Sequence, residues 1–413
     1  MISKPKIVIT GLGAIAPNGN NVDDFWSALI AGKSGIDSIK SYDTDGHTVK
    51  IAGEVTNFDY EDYFTRKESR KLDRFSIFAL VAAEEAIKNA GLDSNKLNPD
   101  KIGVIIGSGV GGVGTLIEQQ TVLLNKGPRR ISPHFVPKMI PNIAAGHIAI
   151  RWNLQGPNQT IVSACASGTD AIGIAMRLIQ AGDADAIITG GTEASVLPLT
   201  IAGFANMRAL STRNDDPLAA SRPFDLDRDG FVLGEGAGML VIETEEHAKS
   251  RNANILAEVA GYGATDDAFH VTQPSVGGVG GAKAMRRAIA DAGLQPEDIS
   301  YINAHGTSTP FNDKNESKGI RAVFGEYSDN LKISSTKSMT GHLLGASGAI
   351  EAVVAVKTIK QQMAPPTVNY STPDPECDLD YIPNEAQSFE INSVMSNSFG
   401  FGGHNGVLVF KKY

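Results

Sequence analysis

Cysteine is the first scarcity: the 413 residues hold only two, Cys165 and Cys377. Two thiols so far apart support neither a disulfide framework nor a zinc site. Long apolar runs are also missing. None reaches the roughly 18 residues that a membrane-spanning helix needs. The opening Met1-Ile2-Ser3-Lys4-Pro5-Lys6 has no h-region of a signal peptide, so a cytoplasmic protein without membrane insertion is expected. Excess positive charge is lacking too. The formal net charge is −9, which argues against nucleic acid as a partner. Hydrophobic residues at 42% and charged residues at 20% then describe a folded globular chain. Its length exceeds one ordinary core, so two domains or two fused halves are expected.

What is present reads as a duplication. Val8-Ile9-Thr10-Gly11-Leu12-Gly13-Ala14 is echoed by Val259-Ala260-Gly261-Tyr262-Gly263-Ala264. Ala86 to Leu92 returns as Ala288 to Leu294, and each copy precedes a strand, Lys101–Ile106 or Ile299–Asn303. Ala166-Ser167-Gly168 and Ala346-Ser347-Gly348 each open an apolar helix, and Gly238–Ile242 pairs with Gly406–Phe410. Four matches in the same order predict two α/β halves, residues 1–250 and 251–413, with insertions in the first.

The chemistry concentrates in four segments. In Ile161-Val162-Ser163-Ala164-Cys165-Ala166-Ser167-Gly168-Thr169-Asp170, an apolar pair, a turn of small residues and a helical pattern over 171–179 put Cys165 at a helix N-terminus. Unpaired N–H groups and the helix dipole there favour a thiolate. A buried structural cysteine is the alternative at this point. His305 follows a strand in Asn303-Ala304-His305-Gly306-Thr307-Ser308-Thr309, and His342 sits in Lys337-Ser338-Met339-Thr340-Gly341-His342, just before the duplicated helix. Asn397-Ser398-Phe399-Gly400-Phe401-Gly402-Gly403-His404 forms a glycine-flanked loop. A pseudo-twofold axis between the halves would let Cys165, His305 and His342 meet.

Two further features remain open on the residues alone. Gly103 to Gly112 superficially resembles a dinucleotide loop, but it lacks the helix-opening pattern and the acidic residue about 20 positions on that such a loop requires. At helical spacing Lys67, Arg70, Lys71 and Arg74 share a face, and Arg129 and Arg130 form a second basic cluster. Either reads as a solvated surface or as a dock for an acidic protein.

Taken together, these motifs resemble the β-ketoacyl-acyl carrier protein synthases of the thiolase-like superfamily, over Val8 to Phe410. The resemblance is nearest to the free-standing bacterial elongating enzymes of the synthase II group, with synthase I-type elongating enzymes and free-standing polyketide ketosynthases as neighbouring readings. It implies a duplicated α/β fold with a five-layered α/β/α/β/α core, usually a homodimer. It implies Cys165 as the acyl-accepting nucleophile and His305 and His342 as the pair acting on a malonyl thioester. Lys337 matches the family's active-site lysine, with Glu351 as its ion-pair partner. Backbone N–H groups of Cys165 and Phe401 match an oxyanion hole, and Phe401 between Gly400 and Gly402 matches a gate. Thr307 and Thr309 match contacts to phosphopantetheine. Val110, Phe204, Phe401 and Phe135, the last from the partner subunit, match an acyl pocket. Lys67, Arg70, Lys71, Arg129, Arg130 and Arg208 match a docking surface for acidic acyl carrier protein. Neither cofactor nor metal is implied, because substrates arrive on the phosphopantetheine of the carrier.

The resemblance also separates relatives. Initiating synthases pair the cysteine with one histidine and one asparagine, and thiolases need a second catalytic cysteine. Cys377 lies between Glu376 and Asp378 without a thiolase-like glycine context. A non-catalytic carrier-binding partner subunit would lack the nucleophile. His404 departs from the threonine that several relatives carry.

Overall fold

A computed structural model describes residues 4–93 and 96–413; Met1 to Ser3 of the opening segment lie outside the described residues. The main sheet is built from β1 (Ile7–Ile15), β2 (Ile102–Gly107), β3 (Asn158–Ile161), β4 (Ala186–Glu193) and β5 (Gly236–Thr244) of the first half. The second half supplies β6 (Ala257–Asp266), β7 (Tyr301–Asn303), β8 (Lys332–Ser334), β9 (Ser393–Gly400) and β10 (His404–Lys411). Their order is β8-β7-β9-β10-β6-β1-β5-β4-β2-β3, a palindrome centred between β6 and β1. In each half the three outer strands run parallel and the two inner ones pair antiparallel. The halves join through Val8 opposite Glu258 and Ile9 opposite Ala257.

Helices α1 (Arg74–Ala90), α2 (Ser167–Ala181), α3 (Val279–Asp291), α4 (Pro310–Phe324) and α5 (Ser347–Gln361) complete the frame. α2 and α5 pack on one another and against strands of both halves, whereas α1 covers the outer face of the first half and α3 that of the second. This is the five-layered arrangement. The sequence permits it because the central strands are apolar on both faces. On β5, Leu240 and Ile242 join the inner core beside Met176 and Val354, while Met239 and Val241 join the outer core beside Phe75 and Phe78.

The recurring glycines explain how the outer helices come so close. A Cβ on Gly11 or Gly13 of β1 would stand 2.1 or 1.9 Å from the carbonyl oxygens of Ala86 and Ala82 in α1. On Gly261 and Gly263 of β6 it would meet Ala288 and Ala284 of α3 at 2.3 and 2.2 Å. Such contacts exclude any side chain. The same device therefore operates in both copies.

Several expected boundaries shift. The helix read over 171–179 runs from Ser167 to Ala181, because Ser167 to Asp170 already form its first turn. Gly103 to Gly112 does lead into a helix, Val113–Lys126, contrary to the expectation. The loop still cradles no phosphate, since the N–H groups of Gly109 and Val110 donate to Glu193 at 2.8 and 3.2 Å. The supposed helical face bearing Lys67, Arg70, Lys71 and Arg74 is broken. A helix over Arg66–Ser69 stops after one turn, and Asp73 caps the start of α1, accepting from the Phe75 N–H.

Candidate active site

Cys165 sits in a 3-10 turn, Ala164–Ala166, directly before α2. The turn is held by the Ser167 hydroxyl, which accepts from the Ser163 N–H at 2.9 Å and donates to the Ala164 carbonyl at 2.7 Å. Ala164 takes a left-handed φ of 50°, and its counterpart in the other half, Leu344, one of 47°. A left-handed backbone at a non-glycine residue is strained, and such residues cluster at functional sites. Gly400 packs on this turn: a Cβ there would lie 2.8 Å from the Ser163 carbonyl oxygen. That approach brings the Phe401 backbone to the nucleophile turn, where the N–H groups of Phe401 and of Cys165 itself favour the ionised sulfur.

The thiol corrects one expectation. Burial pushes Cys165 up to about 12, against the charge of Lys337 and the two backbone N–H groups, which favour ionisation. The helix terminus therefore does not leave a standing thiolate. The side chain rests as a thiol and must lose its proton as it reacts.

His305 and His342 come from different loops of the second half, yet their rings meet edge to face with centroids 5.3 Å apart. The backbone of His305 is fixed by Glu316 of α4, which accepts from the N–H groups of His305 and Gly306 at 2.8 Å each. His342 Nδ1 lies 2.8 Å from the Ser347 hydroxyl, the first residue of α5. Phe231 stands edge-on to His342, and Phe399 to His305. Both rings are buried, and both pKa values fall well below the usual 6.5. Desolvation is the main cause and the Lys337 charge the second; His342 adds to the shift of His305. Two neutral imidazoles thus share one pocket.

Lys337 and Glu351 are each 1% exposed and form an ion pair through Nζ and Oε1. Burial lifts Glu351 to about 7 although Lys337 opposes this. The pair does not border the open space. Its charge reaches the three reactive groups through the protein interior.

A cavity of about 450 Å³ collects most of the sequence-predicted residues. Cys165, His305, His342, Gly400, Phe401, Val110, Phe204, Thr307, Thr309 and Arg208 all border it. Phe401, Phe204 and Phe231 form an aromatic chain leading to His342, with centroids 6.4 and 5.4 Å apart along the chain. Asp313 of α4 accepts from the N–H groups of Thr307 and Ser308 at 3.0 and 3.1 Å, so the threonine loop is rigidly presented. Gly402 lies beside the cavity with φ 88°, in the hairpin turn joining β9 to β10. Phe135 does not border this space; it begins a short helix, Phe135–Met139.

Lys67, Arg70, Lys71, Arg129, Arg130 and Arg208 are exposed, and none makes an ion pair among the described residues. Arg74, read with them, is engaged instead: it binds Glu235 at 2.7 Å and lies over Phe78. Cys377 is buried, and burial raises its thiol to about 12 as well.

Sequence reading missed Glu316, Asp313, Ser347 and Glu193. The first two carried a signal. They fall at i and i+3 on the face of α4 that also bears the buried Ile320, and charged residues are seldom buried without a partner. Glu193, ending the apolar strand β4, carried a weaker one.

A duplicated thiolase-like fold with one buried cysteine facing two neutral histidines defines a condensing enzyme of the acyl-transfer class. The family models agree. The N-terminal domain of beta-ketoacyl synthase matches residues 4–248, and the C-terminal domain matches residues 256–371. The chain belongs to the beta-ketoacyl synthase family. It is 54% identical to a Staphylococcus aureus 3-oxoacyl-[acyl-carrier-protein] synthase 2, covering 100% of both chains. It is 52% identical to a Synechocystis protein of the same name, covering 100% of this chain and 99% of the other. A solved type II PKS acyl-carrier protein in complex with its ketosynthase superposes with a TM-score of 0.92 at 38% identity, over 100% of both chains.

Proposed function

We propose that the protein acts as a 3-oxoacyl-[acyl-carrier-protein] synthase II of type II fatty acid synthesis, which condenses an acyl-carrier thioester with malonyl-carrier protein and releases carbon dioxide. The observation that carries this reading is Cys165 in one cavity with two histidines that burial keeps neutral.

Cys165 attacks the acyl thioester carbon, and its proton passes to a neutral imidazole as the S–C bond forms. The N–H groups of Cys165 and Phe401 then stabilise the oxyanion of the tetrahedral intermediate. Collapse expels the carrier thiol, which takes the proton. In the second half-reaction the C–CO₂ bond of malonyl breaks and its electron pair becomes an enolate. His305 and His342, as N–H donors, stabilise the enolate oxygen without a full positive charge to protonate the carbon. The enolate carbon attacks the acyl-Cys165 carbonyl, and collapse returns the sulfur, which takes a new proton from solvent because the first left with the carrier thiol. Lys337 and Glu351 organise the site electrostatically; neither borders the cavity.

The cavity suits a substrate delivered on an arm, with Thr307 and Thr309 at the phosphopantetheine and Val110, Phe204 and Phe401 along the acyl chain. No resident cofactor enters this account. The exposed, unpaired Lys67, Arg70, Lys71, Arg129, Arg130 and Arg208 supply the docking surface for an acidic carrier protein. A homodimer is supported by the edge strand β3, which among the described residues pairs with β2 alone. Apolar Val162 and Ile150 beside it are 57% and 78% exposed. Phe135 from the partner then completes the acyl pocket. No helix of the described residues is long and apolar enough to cross a membrane, and cytoplasm is the compartment this reading implies.

Malonyl-carrier decarboxylation assayed with and without an acyl donor tests the function. Product 3-oxoacyl-carrier protein should appear only with both substrates. Carrier binding without either reaction would mark a non-catalytic partner subunit.

A further inference from the structure

Glu193 ends β4 with no exposed surface, and no side-chain cation pairs with it among the described residues. Four donors meet its carboxylate. Oε2 accepts from the N–H of Gly109 at 2.8 Å and of Gly345 at 3.1 Å. Oε1 accepts from the Val110 N–H at 3.2 Å and the Ser108 hydroxyl at 3.3 Å. Ser108 in turn accepts from the Gly111 N–H at 3.1 Å. The whole 108–111 loop of the first half is therefore wrapped around one buried carboxylate. The same carboxylate also holds the 344–346 turn of the second half.

Space allows nothing else there. A Cβ on Gly345 would stand 2.4 Å from the Gly109 nitrogen, and one on Gly109 would stand 2.9 Å from Glu193 Oε2. Val110 and Leu344 both border the cavity, one on each side of this junction. A buried carboxylate without a counter-cation is costly. Burial lifts Glu193 to about 7 against the N–H and O–H donors of the cavity wall, which oppose the shift, so the wall and the carboxyl group hold one another in place.

We propose that Glu193 is the positioning residue that fixes the Val110 wall of the acyl cavity, and thereby sets how long an acyl chain the enzyme accepts. The inference rests on the function proposed above. A dodecanoyl donor runs further from Cys165 than a butyryl donor, so more of it lies against the cavity wall that Val110 borders. Freed from Glu193, the 108–111 loop relaxes into the open cavity and obstructs the longer chain. Glu193 touches no substrate atom in this role.

The test is Glu193→Gln in the full-length protein, which keeps the shape but turns one acceptor into a donor facing N–H groups. KM and kcat are measured for butyryl- and dodecanoyl-carrier thioesters, alongside the thermal midpoint. The expected result is a roughly tenfold fall in kcat/KM for the dodecanoyl donor, carried by KM, as befits loss of one buried hydrogen bond. The butyryl donor should change little. Ser108→Ala, which removes a single donor from the same carboxylate, should move the ratio in the same direction by less, and it decides the matter should the glutamine variant not fold. An unchanged ratio, or an equal loss with both donors, overturns the proposal. Acylation of Cys165 in the wild-type protein is recorded in the same assay; its absence would count against the proposed function itself, not against Glu193.

Discussion

Ser347 Oγ lies 2.8 Å from His342 Nδ1, at the position where the other half places Ser167 against the nucleophile turn. Among the described residues the Ser347 hydroxyl has no other partner, so this one hydrogen bond fixes the orientation of the His342 ring. One duplicated serine thus holds the cysteine turn in the first copy and orients a histidine in the second. Ser347→Ala should slow malonyl decarboxylation by up to about tenfold, the effect of one neutral hydrogen bond. Acyl transfer to Cys165 should be nearly unaffected. Stopped assays of carbon dioxide release and of acyl-enzyme formation check the two steps separately.

The two histidines carry a stronger expectation and a pH signature. Replacing either His305 or His342 with Ala should cut decarboxylation by about 10²–10³-fold, the usual cost of removing one donor to an oxyanion. Acylation of Cys165 should suffer less, because it keeps the backbone N–H groups. Since both rings have pKa values lowered well below 6.5, decarboxylation should run flat through that pH with no titration. Stability follows the same groups: a depressed histidine pKa means the unfolded chain binds the extra protons, so stability is lost as pH falls below about 6.5. A decarboxylation rate that halves near pH 6.5 would show that a histidine titrates there.

Breaking the Lys337–Glu351 pair should cost more than removing it. Lys337→Met leaves a buried carboxylate alone and should destabilise the protein by about 3–5 kcal/mol. Lys337→Met combined with Glu351→Leu should regain most of that loss, while the site stays poorly active. Urea denaturation of the single and double variants measures it; equal stability of single variant and wild type contradicts the coupling.

Charge reversal separates docking from chemistry. Lys67, Arg70 and Lys71 changed together to Glu should weaken reaction with carrier-protein substrates and leave a small uncharged thioester nearly unchanged. Wild-type activity with carrier substrates should also decline as salt rises, through screening over a Debye length of about 8–10 Å. Equal losses with both substrate types point to a folding defect, and no loss to a merely solvated surface.

The duplication was legible because close packing writes itself into sequence: Gly11, Gly13, Gly261 and Gly263 are glycines for the same steric reason. Cys165, His305 and His342 were legible as motifs, and the twofold arrangement explains their convergence. The protonation state of Cys165 was not legible. A helix terminus suggested a thiolate, but burial decides, and burial depends on Phe401 and Gly400 more than 200 residues away. The carboxylates behind the site escaped notice for a related reason. Glu193, Asp313 and Glu316 bind backbone N–H groups, which no side-chain pattern records. Likewise the basic residues at 66–74 looked like one helical face, and the Asp73 cap that splits them is evident only once α1 is seen to begin there.

In the proposed reaction Cys165 carries the acyl chain between the half-reactions. Incubation with an acyl-carrier thioester, followed by peptide mass analysis, tests it most directly. The acyl mass should appear on the Cys165 peptide, Cys165→Ala should carry none, and that variant should still decarboxylate malonyl-carrier protein while making no condensation product. An acyl group confined to Cys377, or condensation by Cys165→Ala, would contradict the account.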